Sequence, residues 1–284
     1  MRKIAREFPK SVCLETFNLC NGSCTFCPYT RVHEHQKIYL EDKYVVSIID
    51  ETASMNVERF SLFNNNEPLL DERIYDFIAY ARKKMPDART TLSSNGKIIT
   101  TEKLYRAIKN GIDNFYISIP TLDEDASREV MGINAMEVVD KIMALPSELY
   151  RNVRIAVPLS KYFDEELYMR VFAPYGIKVI TWEMEANAEW PEFEVIKRLA
   201  EMKYEYGCDR PLDQAIISSN GDVLLCCRDW KHDVVLGNIK EKSLLDIWQG
   251  ELMKQYQKKF EERNQNNISL CSSCSRVSCL EEKV

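Results

Sequence analysis

Residues 20–27 read CNGSCTFC, which sets Cys20, Cys24 and Cys27 apart by gaps of three and then two residues. The run SVCLETFNL (residues 11–19) leads into them and Pro28 follows. The spacing is too tight for a disulfide framework, and three ligands are one short of a closed tetrahedral site. Three thiols placed directly after a strand-like run therefore read as a metal or cluster site with one corner left for an exogenous ligand.

Around this stretch the cysteines form two groups. The ten stand at positions 13, 20, 24, 27, 208, 226, 227, 271, 274 and 279, with none between 28 and 207. The start, MRKIAREFPK, lacks the apolar core of a secretory signal. No run approaches the roughly eighteen consecutive apolar residues of a membrane span. A cytoplasmic protein is the expectation, and in a reducing compartment clustered cysteines more often mean metal than disulfides. A formal net charge of -6 argues against nucleic acid as a partner. The locally basic KQYQKKF (254–260) runs into EER and reads as a solvated helix face.

Between the cysteine groups, β-branched and aromatic runs alternate with amphipathic helical patterns. Strands are predicted at 11–17, 57–63, 88–94, 114–120, 153–159 and 179–185. Helices are predicted at 41–55, 72–85, 101–111, 135–145, 164–176 and 192–207, with Gly111, Gly176 and Gly207 at cap positions. Six such units imply an α/β fold, a parallel sheet curled into a full or partial barrel with its chemistry at the C-terminal strand ends. Beyond residue 207 the texture changes. DQAIISSNGDVLLCC (213–227) reads as a hairpin turning at Asn220-Gly221, and a helical stretch over 243–263 precedes CSSC. The expected division is residues 1–206 for the barrel and 207–284 for a small α+β module.

The triad, with Phe26 before its third cysteine, resembles the signature of radical S-adenosylmethionine (radical SAM) enzymes. The fold implied is a partial (β/α)6 barrel. In that family three thiolates hold a [4Fe–4S] cluster, and the amine and carboxylate of SAM chelate the open iron. Electron transfer then cleaves the sulfonium to a 5′-deoxyadenosyl radical that abstracts hydrogen from substrate. NNNEP (64–68) resembles the family's Gly-Gly-Glu-Pro element, with Glu67 and Pro68 matching and Asn65 and Asn66 in place of glycines. The resemblance also implies SAM contacts at Ser94 and Asn95 of SSNG, at Ser118, and around Val179 to Trp182, Thr181 included. Arg128 would meet the SAM carboxylate, or it is a solvated helix arginine. Zinc completed by His33 or His35 is the other reading of the triad.

Cys208, Cys226, Cys271 and Cys274, with Gly221 between the first two, resemble the shortened SPASM module known as a twitch domain, which holds one fully ligated auxiliary [4Fe–4S] cluster. Structural zinc also suits four thiolates. Of the remaining cysteines, Cys13 reads as a core thiol, while Cys227 and Cys279 are candidate hydrogen-atom donors or spectators.

Within the family the ligand intervals are similar to those of aminocyclitol dehydrogenases. The resemblance implies oxidation of a carbinol to a ketone, with the auxiliary cluster accepting an electron from the substrate radical. The arginine such enzymes carry after the sixth strand is missing from Asn187-Ala188-Glu189-Trp190, leaving Glu183, Glu185 or Glu189 as proton acceptor. The alternatives are a redox-neutral epimerase with Cys227 as hydrogen donor, an enzyme modifying a ribosomal peptide, and a non-enzymatic iron–sulfur protein. Only about ten residues precede the first strand, which disfavours a leader-peptide-binding domain. A small polar substrate is expected (an aminocyclitol, sugar or aminoglycoside), with a cationic one favoured by the acidic composition. A flavodoxin- or ferredoxin-like reductant is the implied partner.

Overall fold

The computed structural model describes residues 6–29, 36–158, 163–182, 208–272 and 274. Six parallel strands form its first part: β1 (Ser11–Leu14), β2 (Arg59–Ser61), β3 (Arg89–Ser94), β4 (Asn114–Ser118), β5 (Val153–Pro158) and β6 (Lys178–Trp182). Each begins within two residues of its predicted start. The alternation of side chains along a strand explains why these segments pair as they do. Val12, Leu14, Phe60, Leu92, Phe115, Ile117, Ile155 and Val157 point outward and are buried under the helices. Cys13, Ser61, Thr91, Ser93, Tyr116 and Ser118 point inward and line a cavity. A sheet apolar outside and polar inside is what a helix-covered partial barrel with a working interior requires.

The helices between strands span Asp42–Ser54, Ile74–Lys84, Thr101–Lys109, Ala135–Met143 and Glu165–Phe172, as expected, and a further one covers Glu124–Met131. Their starts are chemically marked: Thr100, Asp123, Asn134 and Asp164 each accept a hydrogen bond from a backbone N–H of the first turn. Gly176 follows its helix at φ +67, in the left-handed region that favours glycine. The predicted helix over 192–207, with Gly207, and the end of the sixth predicted strand lie outside the described residues. Among the described residues no helix is long and apolar enough to cross a membrane.

The C-terminal part differs from a merely appended module. β7 (Gln214–Ile217) pairs parallel with β1, in the register Ser11↔Gln214 through Leu14↔Ile217. β8 (Asp222–Leu224) and β9 (Val235–Asn238) follow antiparallel, so one sheet runs β6-β5-β4-β3-β2-β1-β7-β8-β9. The hairpin turns at Asn220-Gly221 as expected, with Gly221 at φ +95. The helix expected over 243–263 is two, Leu244–Trp248 and Glu251–Glu261. The break falls at Gly250, where a Cβ would stand 2.9 Å from the carbonyl oxygen of Asp246. Trp248 is buried and its indole N–H donates to the carbonyl of Arg6 at 3.0 Å, tying this part back to the start of the barrel.

Candidate active site and cluster sites

A cavity of about 590 Å³ opens along the inner face of the barrel. Cys20, Cys24 and Cys27 line it together, with Phe26 beside them. Their loop is pinned at three places: Thr25 N–H donates to Val130 O (2.9 Å), Cys27 N–H to Cys24 O (3.1 Å), and Glu67 N–H to Leu19 O (2.9 Å). Two donors address the first sulfur. The backbone N–H of Gly22 reaches Cys20 Sγ at 3.3 Å, and Asn95 Nδ2 reaches it at 3.4 Å while also donating to Asn21 Oδ1 at 2.9 Å. A methyl group on Gly22 would lie 3.3 Å from Cys20 Sγ and 3.5 Å from Cys24 Sγ, so glycine keeps the space between the sulfurs open.

Burial pushes Cys20 up to about 11 and Cys24 up to about 12, each raised further by neighbouring acidic groups of the same site, and Cys27 is also raised by burial. Such thiols are protonated without metal, and ligation releases their protons. Among the described residues no three His, Cys, Asp or Glu side chains converge on one ion. A cubane asks for something else, one thiolate on each of three irons, and three sulfurs facing one cavity with N–H donors aimed at the first fit that demand.

Asn65, Asn66, Ser94, Asn95 and Ser118 all line the cavity. Glu67 and Pro68 do not. Glu67 is buried behind the loops, where Oε1 accepts from Leu69 N–H (3.1 Å) and Oε2 from Asn95 N–H (2.7 Å). Its carboxylate thus clamps the 64–66 loop to the 93–96 loop, and burial pushes it up to about 7. Pro68 opens the short 3-10 turn Pro68–Leu70. Arg128 is half-exposed and pairs with Glu124 (3.1 Å) and Asp125 (3.2 Å) on its own helix, the arrangement of the solvated-arginine reading. Thr181 is off the cavity and its neighbour Trp182 is on it.

Glu15 was missed. It is buried, its Oε2 accepts from Asn65 N–H at 2.9 Å, and its Oε1 accepts from Ser219 N–H at 3.4 Å. A single acid inside the apolar run SVCLETF was the available signal, since buried carboxylates need dedicated donors.

The second cysteine set also assembles. Cys208, Cys226 and Cys271 pack around one apolar cluster with Leu212, Leu225, Val234 and Phe260. Cys274 follows through its N–H to Cys271 O at 3.1 Å. Burial, then Cys274 and Cys208, push Cys271 up to about 12. Cys226 is raised by its hydrogen bond with Cys227 and by burial, with Arg210 opposing. Asp229 is fully buried beneath the loop, accepting from Asp233 and Val234 N–H groups at 2.8 Å each, while its own N–H donates to Cys226 O at 3.0 Å. The four thiols therefore fit a single fully ligated cluster.

Cys227 lines the same cavity as the triad, and so does Cys13. Cys13 is therefore not a core thiol: it hydrogen-bonds Ser61, neighbours Cys227, and is raised to about 12 chiefly by burial. His33, His35, Glu183, Glu185, Glu189, the Asn187–Trp190 segment and Cys279 lie outside the described residues.

Comparison with known proteins agrees with this geometry. The radical SAM superfamily matches residues 14–168, and the SPASM iron–sulfur cluster-binding domain matches residues 208–275. A curated relative is the S-adenosyl-L-methionine-dependent 2-deoxy-scyllo-inosamine dehydrogenase of Niallia circulans, 21% identical over 271 residues, covering 95% of this chain and 94% of the relative. The fold is shared with BtrN, solved in complex with AdoMet and 2-DOIA, at a TM-score of 0.68 and 19% identity over 100% of this chain and 98% of that one. It is shared also with SuiB of Streptococcus suis, at a TM-score of 0.69 and 17% identity over 96% of this chain and 72% of that one. With three cysteines at the mouth of a partial barrel and four more gathered behind it, the chain belongs to the radical SAM superfamily, an enzyme of SAM and [4Fe–4S] chemistry with a SPASM domain at its C-terminal side.

Proposed function

We propose that this enzyme oxidises a carbinol carbon of a small polyhydroxylated substrate, of the aminocyclitol, sugar or aminoglycoside class, to a ketone. The observation that carries the reading is the cavity itself. The triad borders it at one side, and Cys227, adjacent in sequence to the auxiliary ligand Cys226, borders it at another. When bound, SAM and the triad's cluster supply the 5′-deoxyadenosyl radical that removes hydrogen from substrate. The chain's own residues do the rest. Gly22 and Asn95 hold Cys20 by N–H donation, and Asn65, Asn66, Ser94 and Ser118 form the polar wall along which SAM lies. The thiolates of Cys208, Cys226, Cys271 and Cys274 would hold an auxiliary [4Fe–4S] cluster, which would supply an acceptor for the second electron. Residues 1–206 form the barrel and 207–284 the auxiliary-cluster part in this reading.

A cavity of about 590 Å³, which must also admit SAM, leaves room for a compact substrate rather than a folded peptide. The curated relative, named as a dehydrogenase of 2-deoxy-scyllo-inosamine over nearly the whole chain, supports the same chemistry. Glu185 or Glu189 takes the hydroxyl proton, and an external flavodoxin- or ferredoxin-like protein delivers the priming electron.

Two cavity thiols, Cys13 and Cys227, favour redox-neutral epimerisation as the second reading. Anaerobic turnover over a panel of polyols separates the two. One SAM consumed per ketone formed, retained in Cys227→Ala, is the expected result. Solvent deuterium at an inverted carbon, lost in Cys227→Ala, would establish epimerisation instead. SAM cleavage persisting in Cys24→Ala would overturn both.

A further inference from the structure

Among the described residues, the formally charged side chains facing the cavity have one sign: Arg59, Arg210 and Arg228 line it, and no Asp, Glu, Lys or His does. The neighbouring carboxylates Glu15 and Glu67 are buried behind the loops and committed to backbone N–H groups. The acidic side chains of the described residues thus lie off the cavity, and the cationic substrate that acidic composition suggested meets guanidiniums there.

The guanidiniums are also in the wrong place to serve only SAM. Arg59 opens β2, directly across from Ser11 at the start of β1, which lies across from Gln214 at the start of β7. Ser11 and Gln214 face the cavity as well, and Arg210 opens the turn of helix that ends on β7. The triad follows the opposite end of β1, a strand of four residues that spans roughly 10 Å between its first and last Cα. The cavity therefore has a thiol end, where SAM must chelate iron, and a guanidinium end across the barrel. Arg210 stands close enough to Cys226 to offset its charge, and Arg228 lies 5.7 Å over the ring of Trp230. Arg59 is exposed, and no carboxylate among the described residues forms an ion pair with it.

We propose that the substrate carries an oxyanion, a carboxylate or phosphate, which docks at the floor of the barrel against Arg59, with Arg228, Gln214 and Ser11 beside it. The guanidinium fork matches either group through paired N–H donors, and the polar cavity wall accommodates a hydroxylated body above. Within the polyhydroxylated class proposed above this favours the sugar member, as a sugar acid or sugar phosphate, over the amine-bearing cyclitols and aminoglycosides. This rests on the dehydrogenase reading only for the nature of the body, not for the anion.

The test measures binding by calorimetry to the SAM-loaded, cluster-reconstituted enzyme, with inorganic phosphate, D-glucose 6-phosphate, D-gluconate and D-glucosamine as probes. The proteins are wild type, Arg59→Gln and Arg59→Lys, with iron content confirming that each variant is folded and loaded. Inorganic phosphate and at least one anionic sugar are expected to bind at least tenfold more tightly than glucosamine. Arg59→Gln should lose that preference and Arg59→Lys should keep part of it. The phosphate and carboxylate sugars distinguish the two sources of the anion. Glucosamine binding as tightly as both anions, absence of saturable phosphate binding, or an undiminished preference in Arg59→Gln would overturn the proposal. Anion binding with no ketone from any polyol would sink the dehydrogenase reading alone. Ketone from an amine-bearing cyclitol without anion preference would sink this one alone.

Discussion

Glu67→Gln isolates what the buried carboxyl of NNNEP does. Two backbone donors, Leu69 N–H at 3.1 Å and Asn95 N–H at 2.7 Å, fall on its two oxygens. A glutamine keeps one acceptor and turns an NH₂ group on the other donor, which costs about 1–3 kcal/mol for a buried N–H left without a partner. Ionisation adds a pH-dependent part of opposite sign. Burial pushes the folded carboxyl from 4.5 up to about 7. Below pH 4.5 the group is protonated whether the chain is folded or not, and no penalty exists. Between 4.5 and 7 the unfolded chain ionises while the folded one resists, so wild type loses stability, in total about 3 kcal/mol once the pH exceeds 7. The glutamine variant has no such loss. Metal-free protein is the material of choice, because Cys20 and Cys24, raised to about 11 and about 12, do not titrate in this window. Thermal unfolding from about pH 4.5 to 8.5 should show the variant several degrees less stable at the acid end, at about 2–4 °C per kcal/mol. The gap should close or reverse at the alkaline end. Parallel curves, or a gap that widens with pH, would refute a buried, burial-raised carboxyl at this site.

Two further substitutions separate the cluster sites. Gly22→Ala places a methyl 3.2 Å from Asn95 Nδ2 and 3.3 Å from Cys20 Sγ in a backbone conformation open to any residue. Iron content after reconstitution should fall by about half with the melting temperature of the metal-free protein little changed, and full iron with normal SAM cleavage would contradict the crowding argument. Asp229→Ala strips the acceptor from two buried N–H groups, at about 1–3 kcal/mol each. Because the same loop presents Cys226, the auxiliary cluster should be lost first. Electron paramagnetic resonance of the reduced variant should retain only the SAM-responsive signal, and two intact signals would show that Asp229 does not hold the loop.

Where the sequence was informative, a local rule had no competitor. The outward apolar sets of the strands, such as Val12 and Leu14 or Ile155 and Val157, could be buried only by a helix-covered sheet. The cysteine intervals needed no three-dimensional knowledge to announce a cluster. Roles that depend on where a side chain turns after the backbone is fixed were not legible. Glu67 and Asn95 were both singled out, yet one turns inward to bind the other's backbone while the second reaches a sulfur. Arg128 sits on a helix whose acidic residues one turn back, Glu124 and Asp125, capture it. That i,i+4 pattern was present in the sequence and predicts the solvated state. Cys13 occupies an inward strand position, and strand parity would have placed it at the cavity beside Ser61. The guanidiniums lining the cavity were hidden most deeply, because net charge averages over a surface on which Arg59 is one residue among many.

The pairing of β7 with β1 gives these placements a common cause. β1 is the strand from which the triad loop departs, and the auxiliary cysteines flank β7 and β8. Two cysteine groups separated by about 180 residues of sequence are thus held at opposite ends of a single ladder. Glu15, at the end of that ladder, ties in two loops: one oxygen holds Asn65, which lines the cavity with the triad, and the other holds Ser219 in the hairpin turn. A carboxylate buried there loses hydration and needs both donors, so neither loop can shift without stranding a charge. The cavity between the cysteine sets has its span set by hydrogen bonds to a rigid sheet. In the oxidation proposed above, an electron leaving the substrate radical would need a fixed distance to its acceptor more than any single contact. The fold supplies that distance through β1, β7 and one buried acid.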